Sequence, residues 1–143
     1  MTESLKEIVL SGSHLLAIEN GGNIRTFDRR GITSLYELLS QEPSLLNGAT
    51  VVDKVVGKGA AALMIRGGIK ELYANVISEA ALDLFRDSDV EVTYGEAVPC
   101  IMNRARTGLC PVETLCAECK SAEECLPRIK EFITKTIETA NRE

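Results

Sequence analysis

The sequence lacks several features that define common protein classes. It has one histidine among 143 residues, which excludes catalytic schemes that need two. No apolar run reaches the ~18 residues of a membrane span, and the first residues lack the basic-then-apolar order of a signal peptide. The 16 Lys+Arg and 21 Asp+Glu residues leave a net charge of −5. We therefore expect a cytoplasmic protein that binds neither membranes nor nucleic acids in general.

The composition that is present indicates one folded unit. Hydrophobic residues make up 45% of the chain and charged residues 26%, close to an average soluble domain. Apolar residues are plentiful and periodic, which excludes disorder. A chain of this length buries roughly 68–70% of its unfolded surface without help from a disulfide or metal. We expect a single domain over residues 1–143, with a cysteine-rich helical part at about 110–143.

Helical and strand periodicities alternate along the chain. Two strands flank an Asn-Gly-Gly-Asn turn at 20–23, which is typical of a hairpin. The predicted strands are 14–19, 24–27, 71–77 and 90–94, and residues 49–52 are either a buried strand or the approach to a helix. The predicted helices are 5–10, 34–40, 53–66, 78–86, one starting at Pro111, and a last amphipathic helix following Pro127. This order predicts a three-layer α/β/α sandwich, whose five-stranded sheet is mixed because it contains the hairpin.

The first candidate site surrounds Asp53, which is predicted near a helix start, where free N–H groups favour a carboxylate. Lys54 and Lys58 would then share one helix face. Gly57 and Gly59 each cost about 0.8–1 kcal/mol relative to alanine so early in a helix. A phosphate or carboxylate ligand approaching the backbone explains both glycines and lysines. The alternative is that the glycines allow tight helix–sheet packing and the lysines are solvated.

The second candidate site is a polar segment before the helix predicted at Pro111. Cys110 would occupy the N-cap, where a thiol is more nucleophilic, and Arg104 or Arg106 can bind an anion through two hydrogen bonds. The alternative is a loop in which Cys110 and Glu113 only cap the helix. The ligand-binding residues predicted in this segment are Asn103, Arg104, Thr107 and Gly108.

The third candidate site is a run of four cysteines, Cys110, Cys116, Cys119 and Cys125. Four thiolates can hold zinc or an iron–sulfur cluster, and Cys-x-x-Cys is a common half-site. Cys116 and Cys119 also fit one buried helical stripe, in which a free cysteine behaves as a small hydrophobe. Both interpretations stay open at this point.

Two stretches resemble the domain-of-unknown-function family 1893: VVDKVVGK at 51–58, and NR at 103–104 leading to TGLCPVE at 107–113. The resemblance covers roughly residues 5–115. It implies a fold similar to the cytidine deaminases, with a mixed five-stranded sheet between helical layers. Zinc deaminases need H-x-E and P-C-x-x-C on two helices. By element order, this chain has Asp53, Lys54 and Lys58 on the first and residues 78–82 on the second. We therefore expect neither zinc nor deamination at that site.

Two functional hypotheses follow. The first is a zinc-independent enzyme or binding protein for a small anionic, nucleotide-like ligand. Its catalytic residues would be Asp53, Lys54, Cys110 and Glu113, with Gly57 and Lys58 binding the ligand beside the 103–108 segment. The alternative is a non-enzymatic module whose four cysteines bind zinc or an iron–sulfur cluster for stability, redox sensing or partner docking. A homo-oligomeric scaffold without chemistry is a third option.

Overall fold

The computed structural model describes residues 3–28, 32–101 and 111–142. Five strands form one sheet: β1 (Leu16–Asn20), β2 (Asn23–Phe27), β3 (Thr50–Val56), β4 (Glu71–Ser78) and β5 (Glu91–Val98). The helices are α1 (Glu3–Leu10), α2 (Thr33–Gln41), α3 (Pro43–Leu46), α4 (Lys58–Gly67), α5 (Glu79–Arg86), α6 (Pro111–Cys116) and α7 (Ala122–Arg142). None of the helices within these ranges is long and apolar enough to cross a membrane.

The sheet is mixed, as predicted from the hairpin. The strand order is β2-β1-β3-β4-β5. Strand β1 runs antiparallel to both of its neighbours, whereas β3, β4 and β5 are parallel. The carboxyl ends of β2, β3, β4 and β5 therefore meet at one edge, which we call the carboxyl edge. The opposite edge, where β1 ends, is the amino edge.

Helices cover both faces of the sheet. On one face, Leu5 and Val9 of α1 pack against Ala17 and Val52. The other face carries the larger core, in which side chains of α2, α4 and α5 lie on the strands and α6 and α7 complete the cluster. This burial of apolar surface provides the main driving force for the arrangement.

The β1–β2 hairpin forms at the predicted turn. Gly21 and Gly22 have φ values of 59° and 86°, in the left-handed region that glycine adopts without steric cost. Positive φ at both central residues matches the right-handed twist of the paired strands. Asn20 therefore lies opposite Asn23, which fixes the register of the whole hairpin.

The predicted helix over residues 53–66 is wrong at its start. Strand β3 continues to Val56, because Asp53 pairs with Leu16 of β1 on one side and Ala74 of β4 on the other. Pairing on both sides overrides the helical spacing that the sequence suggests. The helix begins at Lys58 instead, and it ends as predicted, with Gly68 at φ 78°.

The last helix begins earlier than predicted. Its first residue is Ala122, so that Pro127 lies inside α7 rather than before it. The Ser121 hydroxyl accepts a hydrogen bond from the Glu124 amide at 3.2 Å, and the Glu124 carboxylate accepts one from the Lys120 amide at 2.7 Å. The Ser121 bond satisfies an amide that the first helical turn leaves open, and the Glu124 bond holds the residue that precedes Ser121. They explain why the helix starts there.

Candidate functional site

Three helices begin on the carboxyl side of one sheet face. Helix α4 follows β3 after a single residue, and α5 follows β4 directly. Helix α2 leads into α3, whose carbonyl oxygens bind the Asn20 side chain at the amino edge, so α2 starts on the carboxyl side. Helix starts present unpaired N–H groups and the positive end of the dipole, which together favour anions. In open α/β sheets, ligands bind outside the carboxyl ends of the strands.

Asp53 lies on this same face, in the middle of β3 and three residues before the strand ends at Val56. Side chains alternate along a strand, so Asp53 shares the face of buried Val51, between Leu16 and Ala74 of the neighbouring strands. Burial raises the pKa of the half-buried Asp53 to about 7, and hydrogen bonding to the backbone of Val55 and Lys54 lowers it only part of the way. A carboxyl group that titrates near neutrality can both donate and accept a proton.

Ser34 adds a second unusual group at the start of α2. Its side chain is 3% exposed, and its hydroxyl has no hydrogen-bond partner in the part of the chain that the structure describes. An unsatisfied buried hydroxyl costs roughly 1–3 kcal/mol, and most buried polar groups are paired. The preceding N-cap residue, Ile32, provides no side-chain cap. Sequence reasoning missed Ser34, because a serine in a first helical turn usually bonds to nearby backbone groups.

The two lysines do not lie where the sequence predicted. Lys54 is an exposed residue of β3, and its strand position turns it to the face opposite Asp53. Lys58 is buried in the first turn of α4, where its ammonium donates to the Ala117 carbonyl at 3.3 Å and to the Cys119 carbonyl. The predicted shared helix face of Lys54 and Lys58 is therefore wrong. Lys58 holds the turn between α6 and α7.

The two glycines have different structural roles. A Cβ atom at Gly59 would overlap Cγ1 of Val112, so this glycine allows α6 to pack closely on α4. Gly57 is the N-cap of α4 and has no side chain over the first turn. Close packing thus accounts for Gly59 without a ligand, while Gly57 leaves the helix start uncovered by a side chain of its own.

Part of the predicted site falls outside the described residues. This part comprises Asn103, Arg104, Thr107, Gly108 and Cys110. Glu113 lies in α6, but its side chain also falls outside the description. Their roles remain predictions.

The cysteine cluster comprises three described thiols, Cys116, Cys119 and Cys125, at most 5% exposed and free of disulfides. The Cys125 thiol hydrogen-bonds to Cys116 and to Cys119. Burial raises the pKa of the Cys119 thiol, and the neighbouring Cys125 raises it further. The pKa of Cys125 is raised mainly by its hydrogen bond to Cys116 and secondly by burial. Within ranges 3–28, 32–101 and 111–142, no three His, Cys, Asp or Glu side chains are prearranged for a metal.

A histidine–aspartate pair lies next to the hairpin. The His14 Nδ1 and Asp28 Oδ1 atoms are 2.7 Å apart, with side chains 33% and 69% exposed. The hairpin register brings them together, since the Leu15 amide donates to the Phe27 carbonyl. His14 also lines an open cleft of about 680 Å³ at the end of α1.

A second cleft, of about 290 Å³, lies between α5 and β5. Neither cleft is lined by Asp53 or Ser34. Both clefts are open, and among the described residues neither is lined by a buried polar side chain that lacks a hydrogen-bond partner. Chemical environment therefore marks the carboxyl edge as the candidate site, although cleft volume does not.

Comparison with known proteins gives a family without an assigned activity. The family model described as "Domain of unknown function (DUF1893)" matches residues 4–133. The crystal structure of a DUF1893 family protein (TM1506) from Thermotoga maritima is similar, with a TM-score of 0.80 and 26% sequence identity. The match covers 92% of this chain and 91% of that one. No curated protein matches.

Proposed function

The chain belongs to the DUF1893 family, and from the chemistry of its carboxyl edge we propose that it binds a small anionic, nucleotide-like molecule there without zinc. Asp53 is the proton-transferring group of this site and Ser34 a hydrogen-bond donor to the ligand. The finer assignment of the fold as cytidine deaminase-like belongs to the same proposal. So do the roles predicted for Arg104 and Cys110.

The observation that carries the proposal is the environment of Asp53. Its carboxyl group is held on the face where α2, α4 and α5 begin, and its pKa of about 7 allows either protonation state under neutral conditions. Structural carboxylates paired with cations have lowered pKa values, so a pKa raised by burial favours a functional role for Asp53. The Ser34 hydroxyl, which has no hydrogen-bond partner among the described residues, supports the same interpretation, because a ligand oxygen would complete its hydrogen bonding.

The proposed chemistry assigns each group a role. Below pH 7 the protonated Asp53 donates a hydrogen bond to an anionic oxygen, and above pH 7 its negative charge repels that oxygen. The first N–H groups of the helices and the Ser34 hydroxyl donate in both conditions. Lys58 is left out of the ligand contacts, because its ammonium already binds two backbone carbonyls. In an enzyme, Asp53 would move a proton to or from the bound molecule.

A thermal-shift experiment tests the proposal. Sulfate is the first probe, since its charge is constant between pH 6 and pH 8, and nucleoside monophosphates are the second. We expect sulfate to raise the Tm more at pH 6 than at pH 8, because only the protonated Asp53 favours an anion. Asp53→Asn should remove this difference while binding persists.

The controls are matched in chemistry and differ in position. Asp87→Asn changes an exposed aspartate at the opposite end of α5, and should leave the sulfate shift and its pH dependence intact. The proposed site would be contradicted if neither sulfate nor nucleoside monophosphates raised the Tm. It would also be contradicted if the Tm shifts were the same in Asp53→Asn and wild type at both pH values. A response to nucleoside monophosphates beyond that to sulfate would support the nucleotide-like class.

A further inference from the structure

The chain between α1 and β1 turns back onto the last turn of α1. Gly12 has a φ of 87°, the left-handed conformation that commonly ends a helix and that glycine adopts without steric cost. The Ser11 amide donates to the Glu7 carbonyl at 3.0 Å. The His14 amide donates to the Ile8 carbonyl at 3.2 Å. These backbone bonds hold His14 beside α1.

The Asp28 carboxylate determines which nitrogen of the His14 ring carries a proton. Nδ1 of His14 lies 2.7 Å from Oδ1 of Asp28, which is a hydrogen-bond distance. An ionised carboxylate only accepts hydrogen bonds, so Nδ1 is the donor. In the neutral ring the other nitrogen, Nε2, is then an acceptor. Within the ranges that the structure describes, Nε2 has no hydrogen-bond partner.

The open cleft of about 680 Å³ at the end of α1 is lined mainly by hydrogen-bond acceptors on its polar side. It is lined by His14 together with Glu7, Ile8, Leu10, Ser11 and Ser13. The Ser11 and Ser13 hydroxyls are 3.1 Å apart, so one of them donates to the other. Among the described residues, no lysine or arginine lines this cleft. The Glu7 carboxylate and the Nε2 acceptor therefore favour a positively charged hydrogen-bond donor.

The same cleft has an apolar wall formed by Ile8 and Leu10. Leu10 is 46% exposed, although it lies only one residue from the buried Val9. A ligand carbon chain on these two side chains would remove apolar surface from water. An alkylammonium ion combines this apolar part with the charged donor that the acceptors favour.

We propose that this cleft binds a primary ammonium group on a short alkyl chain. The ammonium donates to the Glu7 carboxylate and to Nε2 of His14, and the alkyl chain lies on Ile8 and Leu10. Asp28 is a positioning residue, because it acts through the His14 ring. The same chemistry is found in small free amines and in lysine side chains. None of the residues that line the cleft belongs to the anion site proposed at the carboxyl edge, so the two proposals are independent.

The experiment uses the full chain without a histidine tag, because His14 is the only histidine and its ring then gives one set of nitrogen NMR signals. At pH 8 we expect a protonated Nδ1 and an unprotonated Nε2. n-Butylammonium chloride should shift the Nε2 signal, whereas sodium chloride at the same concentration should not. A larger shift with Nα-acetyl-lysine methylamide would identify a lysine side chain as the preferred source. A proton on Nε2, or equal shifts with the two salts, would overturn the proposal.

Three variants test the individual contacts. Glu7→Gln should weaken butylammonium binding about two- to fivefold, the range expected for an exposed ion pair. Glu118→Gln, an exposed glutamate in the turn between α6 and α7, is the matched control and should leave the Kd unchanged. Asp28→Asn should weaken binding although Asp28 does not line the cleft, because an amide no longer makes Nδ1 the donor.

The control also separates a specific site from general attraction to an acidic protein. Equal weakening by Glu7→Gln and Glu118→Gln would show that butylammonium only responds to net charge, and would overturn the proposal. The sulfate response should be the same in Glu7→Gln and wild type. Failure of the ammonium site is therefore distinguishable from failure of the anion site at the carboxyl edge.

Discussion

The two edges of the sheet differ in how completely their polar groups are satisfied. At the amino edge, the Asn20 side-chain amide donates to the carbonyls of Ser44, Leu45 and Asn47, at 3.2, 3.0 and 2.9 Å. These bonds tie the end of β1 to α3 and to the chain that leads into β3. Such bonds fix the backbone and leave nothing for a ligand to complete.

The carboxyl edge is satisfied less completely. Ser34 buries a hydroxyl without a partner in the described part of the chain, and Asp53 keeps a carboxyl group where burial opposes its charge. Both features cost stability, and proteins retain such costs mainly at functional sites. We infer that the amino edge stabilises the fold and the carboxyl edge acts on a ligand.

The largest effect should appear when Asp53→Asn removes the titrating group. The folded pKa of about 7 lies above the ordinary value of 3.8, so the native state binds the proton more tightly than the unfolded state. Wild-type stability should therefore be greatest below pH 4 and fall as the pH rises to 7. The slope is up to about 1.4 kcal/mol per pH unit relative to Asp53→Asn. Urea unfolding at several pH values measures this difference; parallel curves would remove the central role of Asp53.

At the amino edge, Asn20→Ala should destabilise the protein without affecting the ligand. Loss of the amide leaves three carbonyls without this donor, which we expect to cost about 1–3 kcal/mol. Asn23→Ala, in the exposed opposite position of the same hairpin, is the matched control. Urea unfolding gives the cost, and the sulfate response should be unchanged. A weaker sulfate response in Asn20→Ala would show that the amino edge also affects ligand binding, which contradicts the distinction between the two edges.

Ser34→Ala should have effects opposite to those of Asn20→Ala: the protein becomes more stable, and its sulfate response becomes weaker. This buried hydroxyl has no partner within ranges 3–28, 32–101 and 111–142, so its removal should stabilise the unliganded protein by about 1 kcal/mol, while the sulfate response becomes weaker. Ser44→Ala, an exposed serine at the amino edge, should change neither quantity. Stability and the sulfate shift are measured on the same samples. Loss of stability in Ser34→Ala would show that the hydroxyl has a structural partner.

The smallest effect concerns the ion pair between Arg25 and Glu42. Their atoms are 2.7 Å apart, but the side chains are 44% and 53% exposed. Exposed pairs contribute about 0.2–1 kcal/mol, so a double-mutant cycle of Arg25→Ala and Glu42→Ala should give a coupling within that range. A coupling above 2 kcal/mol would mean that the pair is held more rigidly than its exposure indicates.

The hairpin and the mixed sheet could be predicted because local chemistry determines them. Two glycines set the turn, and its register then brings His14 beside Asp28, a contact available from the pattern of residues 14–28 alone. The end of α4 was predicted for the same reason, since Gly68 adopts a left-handed conformation. Short-range signals of this kind need no knowledge of the tertiary structure.

Long-range pairing and packing could not be predicted in the same way. The sequence places Asp53 near the start of a helix, whereas in the structure it pairs with β1 and β4 and belongs to strand β3. The same error places Lys54 on a helix instead of a strand. Lys58 looked like an anion ligand, yet α7 and its preceding turn pack close enough to take its ammonium. No sequence pattern marks Ser34 as a candidate site residue. Its importance arises only from burial without a partner.

The most direct test of the carboxyl edge is a sulfate titration followed by the backbone amide signals of the isotopically labelled protein at pH 6. We predict that the amides of Ser34, Lys58 and Glu79, in the first turns of the three helices, shift with one common Kd. Those of Asn20 and Asn47 at the amino edge should stay in place. Equal shifts at both edges, or none at the three helix starts, would contradict a ligand site at the carboxyl edge.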